Sequence, residues 1–257
     1  MLEEQQNEVQ KDEIDIEKMP PFKRFPIIKD WLYRLILFVI GLLGLDLIGT
    51  IIILILVAIN PEYLNEESAI YVQGNMIVNS IRYSIIILIF AALLLPRLGV
   101  IFKKFKNWKT DLIGVGMGAA VLLTGFLYNL IIQQFIDPGV NDNQALAVQM
   151  IKNFPVISFI VLGIFGPVSE EITYRYGLFE FVGKKNKILA YIVTILVFSL
   201  IHFNFQGNMT VELLNLPSYV IAGFLLTFTY HRFGFNASVI AHIVNNLYAV
   251  VEAIVSK

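Results

Sequence analysis

The segment FPVISFIVLGIFGPVSEEITYR, residues 154–175, runs from an apolar stretch straight into two adjacent glutamates, Glu170 and Glu171. An ionised side chain at the centre of a membrane helix costs about 2.5–3.5 kcal/mol on insertion scales. Such a group is tolerated when it faces a polar cavity or a partner, and paired carboxylates in a low-dielectric cavity suit general acid–base chemistry. The segment therefore predicts a membrane helix that lines a polar cavity.

The whole chain has the composition of a polytopic membrane protein. Of its 257 residues, 57% are hydrophobic and only 15% are charged, and the mean hydropathy is +0.71. A soluble domain is about 45–50% apolar and about 25% charged. The net charge of −1 does not indicate a nucleic-acid partner. The absence of cysteine excludes disulfides, iron–sulfur clusters, thiolate zinc sites and cysteine catalysis.

Seven apolar runs approach or exceed the length that crosses the hydrocarbon core, which takes about 20 helical residues. They are Leu32–Ile59, Met76–Leu95, Leu112–Ile132, Phe154–Phe179, Ile188–Phe203, Leu213–Tyr230 and Phe235–Val255. An eighth span would need a break in the first run. Small residues at positions 114–120 predict that the third helix packs closely on a neighbour. We therefore predict an all-α, polytopic transmembrane helical bundle of seven spans, or eight if the first run is broken.

Positive charge is distributed unevenly between the two sides of this bundle. Fifteen of the 19 Lys and Arg residues lie on the side of the N-terminus and three on the other, with Arg175 set aside. Cytoplasmic loops are enriched in Lys and Arg, so the bias predicts a cytoplasmic N-terminus. Residues 1–18 contain seven acidic and two basic residues. We predict a disordered acidic tail and basic juxtamembrane segment at residues 1–30 and a single transmembrane domain at residues 31–257.

The glutamate pair divides when it is placed on a helix. Glu171 and Arg175 are spaced i,i+4 and share a face, whereas Glu170 is rotated by about 100° towards another cavity wall. One buried ion-pair network of all three is the alternative, although a single arginine does not need two carboxylates beside it in lipid. Asp46, within the first span, has no partner visible in the sequence, and we expect it to pair structurally or to line a water pocket.

Two of the three histidines lie within predicted spans. His202 follows Phe198 by four residues and His242 precedes Asn246 by four, so each pair lies on one helix face. An intramembrane histidine by itself is often an interhelical hydrogen bonder. The joint occurrence of these residues with Glu170 on a third helix predicts one shared cavity.

Two enzymatic mechanisms fit such a set. In the first, a glutamate of the pair activates water for attack on an amide, a histidine assists proton transfer, and His or Asn donors stabilise the oxyanion. In the second, Glu170, His202 and His242 coordinate Zn²⁺ and leave a position open for water. The sequence lacks H-E-x-x-H, which weakens the zinc version, and it lacks the Gly-x-Ser-x-Gly element of a serine mechanism.

Three motifs on successive late helices carry these residues: Glu170-Glu171-x-x-x-Arg175, Phe198-x-x-x-His202 and His242-x-x-x-Asn246. In this order they resemble the motifs of the CPBP family. These are the CAAX proteases and bacteriocin-processing intramembrane endopeptidases, also called Abi or type II CAAX prenyl endopeptidase-like proteins. The resemblance covers about residues 110–255. It implies a helical membrane bundle whose protease-like core has a cavity open toward the cytosol and the bilayer.

The resemblance also implies a role for each motif residue. Glu170 would be the catalytic carboxylate that activates water, and His242 would assist it. The oxyanion would be supported by His202 and Asn246. The positions expected to support the site are Glu171, Arg175 and Phe198.

We therefore predict an intramembrane endopeptidase that hydrolyses a peptide bond of a membrane-associated peptide or protein. The resemblance suggests prenylated C-terminal tails or bacteriocin and signalling-peptide precursors as substrates. The alternatives are a non-catalytic membrane scaffold or bacteriocin self-immunity protein with the same cavity and, less in keeping with the sequence, a small transporter. We expect membrane lipids as partners, a location in the plasma membrane of a prokaryote, and either no cofactor or zinc.

Overall fold

The computed structural model describes residues 29–97, 99 and 107–256, so the predicted tail and juxtamembrane segment at residues 1–30 lies outside them except for its last two residues. The described residues form helices, turns and loops, without a strand. The helices are α1 Asp30–Ile59, α2 Ala69–Leu94, α3 Trp108–Ile132, α4 Asp142–Asn153, α5 Pro155–Gly183, α6 Lys187–Leu200, α7 Met209–Phe233 and α8 Phe235–Val255. Short 3-10 helices at Pro61–Leu64 and Leu95–Arg97 follow α1 and α2.

The predicted polytopic helical bundle is confirmed. Six helices in the described part of the chain, all except α4 and α6, are long and apolar enough to cross a membrane. With α6 they correspond to the seven predicted runs. Helix α1 is continuous from Asp30 to Ile59, so the break that an eighth span requires is not found there. The chain is therefore an integral membrane protein.

Helix α6 is too short to cross the hydrocarbon core. Its 14 residues span about 21 Å, whereas the core is about 30 Å thick. The chain leaves the helix after Leu200, and residues 201–208 are non-helical. If α6 begins at one membrane surface, this loop lies at membrane depth, where backbone polar groups need partners within the protein.

Helix α4 is not among the predicted elements, because its 12 residues are too few and too polar for a span. It begins with a capped turn, in which the side-chain oxygen of Asn141 accepts a hydrogen bond from the backbone N–H of Gln144 at 2.9 Å. Near its other end, Met150 packs with Met76 of α2 and Val161 of α5. The connection between α3 and α5 is therefore a folded part of the bundle.

Helix α3 packs closely on α8, as its small residues predict. A Cβ atom at Gly114 would lie 2.8 Å from the carbonyl oxygen of Ala237, and one at Gly118 would lie 2.7 Å from that of Ala241. These distances leave no room for a side chain, because the obstructing atoms are backbone. Glycine in α3 therefore lets α8, which carries His242, approach to backbone contact.

We expect Gly118→Ala to destabilise the fold by about 1–3 kcal/mol, because the added methyl group must displace the α8 backbone. The midpoint of unfolding in a denaturing detergent series measures this change. Gly116→Ala is the matched control, since a Cβ at position 116 meets no atom within 4 Å. Equal midpoints for the two variants would contradict the packing described here.

Candidate active site

Helix α5 departs from α-helical geometry on both sides of the glutamate pair. Its segments Val161–Phe165 and Glu171–Phe179 are π-helical, and Gly166–Glu170 between them is α-helical. Pro167 has no N–H to donate to the carbonyl of Gly163. The missing hydrogen bond favours an irregular pattern of backbone hydrogen bonds in the first segment. Widened turns of this kind occur frequently at functional sites.

The side chain of Glu171 is fully buried and has three partners. Arg175, also fully buried, donates from Nη1 to Oε1 at 2.9 Å, which is the predicted i,i+4 ion pair. His242 places Nδ1 2.8 Å from the same oxygen. The hydroxyl of Ser238 donates to Oε2. A carboxylate with a counter-charge and two further hydrogen bonds is the form in which a buried charge is tolerated.

Arg175 joins this cluster to α6 and α7. Its Nη2 donates to the carbonyl oxygen of Gly223 at 3.4 Å. Its guanidinium lies over the ring of Phe198, 4.4 Å from the centroid, a distance typical of a cation–π contact. The same ring faces His242 at a centroid distance of 5.9 Å. Phe198, predicted as a supporting residue, thus forms one apolar wall of the site.

The contact with Glu171 sets the orientation of the His242 imidazole. An ionised carboxylate can only accept hydrogen bonds, so Nδ1 of His242 carries the proton. In the neutral ring Nε2 is then an acceptor. This Nε2 faces Glu170, with 3.8 Å between it and Oε2. His242 therefore bridges the two glutamates through its two ring nitrogens.

Glu170 differs from its neighbour in how its carboxylate is satisfied. Its side chain is 12% exposed, and its buried Oε2 accepts no hydrogen bond from the residues that the structure describes. A buried polar atom without a partner costs free energy, and such atoms in native proteins call for a functional explanation. The predicted divergence of the two carboxylates is thus present: Glu171 is enclosed by three partners, whereas Oε2 of Glu170 faces Nε2 of His242 at 3.8 Å.

His202 lies two residues beyond the end of α6. Its Nδ1 is 2.8 Å from the carbonyl oxygen of Phe198, so this nitrogen carries a proton that it donates. Its ring packs on that of Phe198 at 4.9 Å. The ring of Phe198 therefore lies against both predicted histidines, with centroid distances of 4.9 Å to His202 and 5.9 Å to His242.

Asn246 is anchored to α5. Its side-chain Nδ2 donates to the carbonyl oxygen of Leu162 at 3.1 Å, within the first π-helical segment. Its Oδ1 accepts a hydrogen bond from Asn245 at 3.2 Å. One of its two amide hydrogens is thus engaged in holding α8 to α5. Its support of an oxyanion stays a prediction.

Ser238 is a site residue that the sequence analysis does not include. It lies one turn before His242 on α8, so a polar stripe at i, i+4 and i+8 is the signal that could have identified it. Asp46 lies in the middle of α1 and is exposed. It has no hydrogen bond or ion pair with the part of the chain that the structure describes, so the expected structural partner is not found there.

The zinc alternative requires Glu170, His202 and His242 to converge on one point. Within the described ranges, no group of three or more His, Asp and Glu side chains is placed to hold a metal ion. The residues therefore do not fit a zinc site in this geometry, and no step proposed below uses a metal.

We expect Arg175→Met to destabilise the fold by about 3–5 kcal/mol, because it leaves the buried Glu171 carboxylate without a counter-charge. Denaturant titration of the purified protein measures this change. The control is Glu170→Gln, which removes a charge without a bonded partner and should leave stability unchanged or slightly increased. A larger loss in Glu170→Gln than in Arg175→Met would reverse the assignment of the two carboxylates.

Comparison with known proteins agrees with this site. Residues 152–248 match the family model "Type II CAAX prenyl endopeptidase Rce1-like". An uncharacterized protein of Mycoplasma capricolum subsp. capricolum is 32% identical over 206 residues, 75% of this chain and 58% of that protein. A UPF0177 protein in the abiGi 5' region of Lactococcus lactis subsp. cremoris is 32% identical over 108 residues, 42% of each chain.

A further relative, UPF0177 protein YxdF of Lactococcus lactis subsp. lactis, is 29% identical over 168 residues, 63% of this chain and 89% of that protein. The chain thus spans about half the length of the first two relatives. No solved structure matches. All three motifs lie within residues 152–248, and the predicted resemblance is confirmed: this region is similar to the type II CAAX prenyl endopeptidase Rce1-like proteins, which is consistent with the CPBP family.

Proposed function

We propose that the chain is an intramembrane endopeptidase in which Glu170 activates water and His242 assists proton transfer. The observation that carries the proposal is the pairing of two acceptor atoms. The Glu170 Oε2 has no hydrogen-bond partner among the described residues and lies 3.8 Å from Nε2 of His242, and Glu171 holds the other ring nitrogen of that histidine. Two unused acceptors beside each other in a mostly buried site suit the binding and deprotonation of water.

The first chemical step is attack by water on the carbonyl carbon of a peptide bond. The 3.8 Å between Glu170 Oε2 and His242 Nε2 is too long for a direct hydrogen bond. It allows one water molecule to donate to both atoms. Glu170 takes a proton from this water as the water oxygen bonds to the carbonyl carbon, which gives a tetrahedral oxyanion. Glu170 then gives the proton to the amide nitrogen as the C–N bond breaks, so that a carboxylic acid and an amine leave and no covalent bond to the protein forms.

The Glu171 cluster prepares His242 for this step. Glu171 accepts a hydrogen bond from the Nδ1–H group of His242. This leaves Nε2 of the neutral imidazole free to accept a hydrogen bond from water. If the ring takes a second proton, the same carboxylate stabilises the imidazolium, as the carboxylate of a catalytic triad does. Ser238 and Arg175 hold Glu171 in place. Glu171 is therefore a positioning residue and Glu170 the base.

The substrate class follows from where the site lies. The motif residues are carried by membrane helices, so the peptide bond must reach the interior of the bundle from the membrane or its surface. Short, extended segments of membrane-associated peptides fit this requirement, and prenylated tails and bacteriocin-like precursors are candidates through the family resemblance. We further propose a cytoplasmic N-terminus and a prokaryotic plasma membrane, from the charge bias and the composition.

A non-catalytic scaffold accounts less well for Glu170. A protein that needed only the fold would gain stability by replacing a buried carboxylate that has no partner, because such a group is costly in an apolar interior. A destabilising carboxylate beside a correctly oriented imidazole is typical of active sites, where function requires groups that lower the stability of the fold. We therefore prefer the catalytic proposal to a scaffold or self-immunity protein.

We expect Glu170→Gln to lower the rate of peptide cleavage by a factor of about 10²–10⁴, because the amide cannot accept the proton of water. The measurement compares farnesylated tail peptides and non-prenylated membrane peptides, incubated with the purified protein in liposomes. Glu252→Gln is the matched control, an exposed glutamate on α8. Full activity in Glu170→Gln would overturn the mechanism.

We expect cleavage to persist after treatment with a zinc chelator, since the site residues do not assemble a metal site. The same peptides are assayed before and after chelation and dialysis, with the metal content of the protein determined in parallel. Activity that is lost on chelation and restored by Zn²⁺ would favour the zinc mechanism over the one proposed here.

A further inference from the structure

A buried carboxylate outside the three motifs holds the loop that carries His202. Glu212, in the first turn of α7, is 2% exposed. Its Oε2 accepts a hydrogen bond from the backbone N–H of Asn204 at 3.0 Å, and its Oε1 accepts one from the backbone N–H of Asp142 at 3.2 Å. One side chain therefore ties the loop after α6 to the start of α4.

The side chains of the two tied segments also contact each other. Asn204 donates from Nδ2 to Oδ2 of Asp142 at 2.7 Å. If α6 begins at one membrane surface, it ends before the far surface, and the backbone of this loop then needs partners from the protein. A carboxylate is suited to the task, since its two oxygens can each accept a backbone N–H. Glu212 thus fixes the backbone two residues after His202.

Tyr219 holds the imidazole of His202 itself. It lies seven residues after Glu212 on α7, and residues seven apart share a helix face. Its ring stacks on that of His202 with centroids 4.6 Å apart and planes inclined by 20°. Its hydroxyl is 3.1 Å from the side-chain Nδ2 of Asn141, which caps α4. The position of Tyr219 is therefore set by the same segment that Glu212 binds.

These contacts enclose the histidine from three directions. Phe198 packs on the ring at 4.9 Å and its carbonyl accepts from Nδ1, while Tyr219 covers another face. Once Nδ1 is engaged, Nε2 is the ring nitrogen available for a substrate. The direction in which it points depends on Tyr219 and on the loop that Glu212 anchors.

We propose that Tyr219 and Glu212 are positioning residues that orient His202 toward the reacting peptide bond, so that the start of α4 forms part of the active-site framework. This inference rests on the proposed peptidase function for its consequence. The arrangement itself, in which Tyr219 stacks on the His202 imidazole and Glu212 holds the loop, can be tested without any activity. Neither residue belongs to a motif from which the function is proposed.

The first test reads the imidazole directly in the intact protein. The chain has three histidines, so ¹³C- and ¹⁵N-labelled histidine gives three resolvable imidazole signals. Tyr219→Leu should shift the His202 signals, because the ring current of the stacked tyrosine is lost, and Tyr219→Phe should retain most of that ring current. Glu212→Gln should broaden or shift the same signals, because an amide cannot accept two backbone hydrogen bonds in this arrangement.

The matched control uses a second tyrosine–histidine contact. Tyr191 faces His231 at 5.6 Å, and its hydroxyl is 3.0 Å from the His231 Nδ1. Tyr191→Leu should therefore shift the His231 signals and leave those of His202 in place. His202 signals that are the same in the wild type and in Tyr219→Leu, or that respond equally to Tyr191→Leu, would overturn the proposal.

The second test measures kinetics with the peptides described above. We expect Tyr219→Leu to lower kcat roughly ten-fold, in keeping with the strength of an aromatic contact, with little change in KM. Tyr219→Phe should restore most of kcat, whereas Tyr191→Leu should have no effect. An unchanged kcat in Tyr219→Leu would refute the positioning role. If the wild type cleaves none of the peptides, the proposed function fails. The NMR signals of His202 then still show whether Tyr219 and Glu212 hold the imidazole.

Discussion

The buried carboxylate of Glu171 is the group on which the site depends. A charge without water around it is stable only where a counter-charge and hydrogen bonds replace solvation. Arg175 supplies the charge from the same helix, and Ser238 and His242 supply the remaining bonds from α8. Helix α8 can satisfy Glu171 only in one register against α5. The same requirement that stabilises the charge therefore fixes the direction of the His242 ring.

Contacts at several positions along α8 hold it in this register against α5. The glycines of α3 admit the α8 backbone at Ala237 and Ala241. One turn beyond His242, Asn246 bonds to the Leu162 carbonyl in the first π-helical segment of α5. Close packing, a buried ion pair and an amide anchor thus act on neighbouring turns of one helix. A shift of α8 along its axis would break all three together, which explains how a membrane bundle holds two ring nitrogens in fixed positions.

Much of this arrangement could be predicted from local spacing. Apolar runs identified the long helices, and the i,i+4 spacing identified the Glu171–Arg175 pair and the separate direction of Glu170. The end of α6 was not visible, because the apolar residues Ile201 and Phe203 continue past it. The roles of Glu212 and Tyr219 were not visible either. Their partners in the α4 segment lie 70 and 78 residues away in the sequence, and no periodic pattern encodes such contacts.

The two adjacent glutamates also show how one helix separates structural and chemical roles. Consecutive residues differ in direction by about 100° on an α-helix, so neighbours can face different environments. Glu171 faces α8 and gains partners, whereas Oε2 of Glu170 faces Nε2 of His242 and has no hydrogen-bond partner among the described residues. His242 lies between them, with Nδ1 directed to Glu171 and Nε2 directed to Glu170. The ion pair that stabilises the first carboxylate thereby determines the geometry around the second, which we propose to be the base.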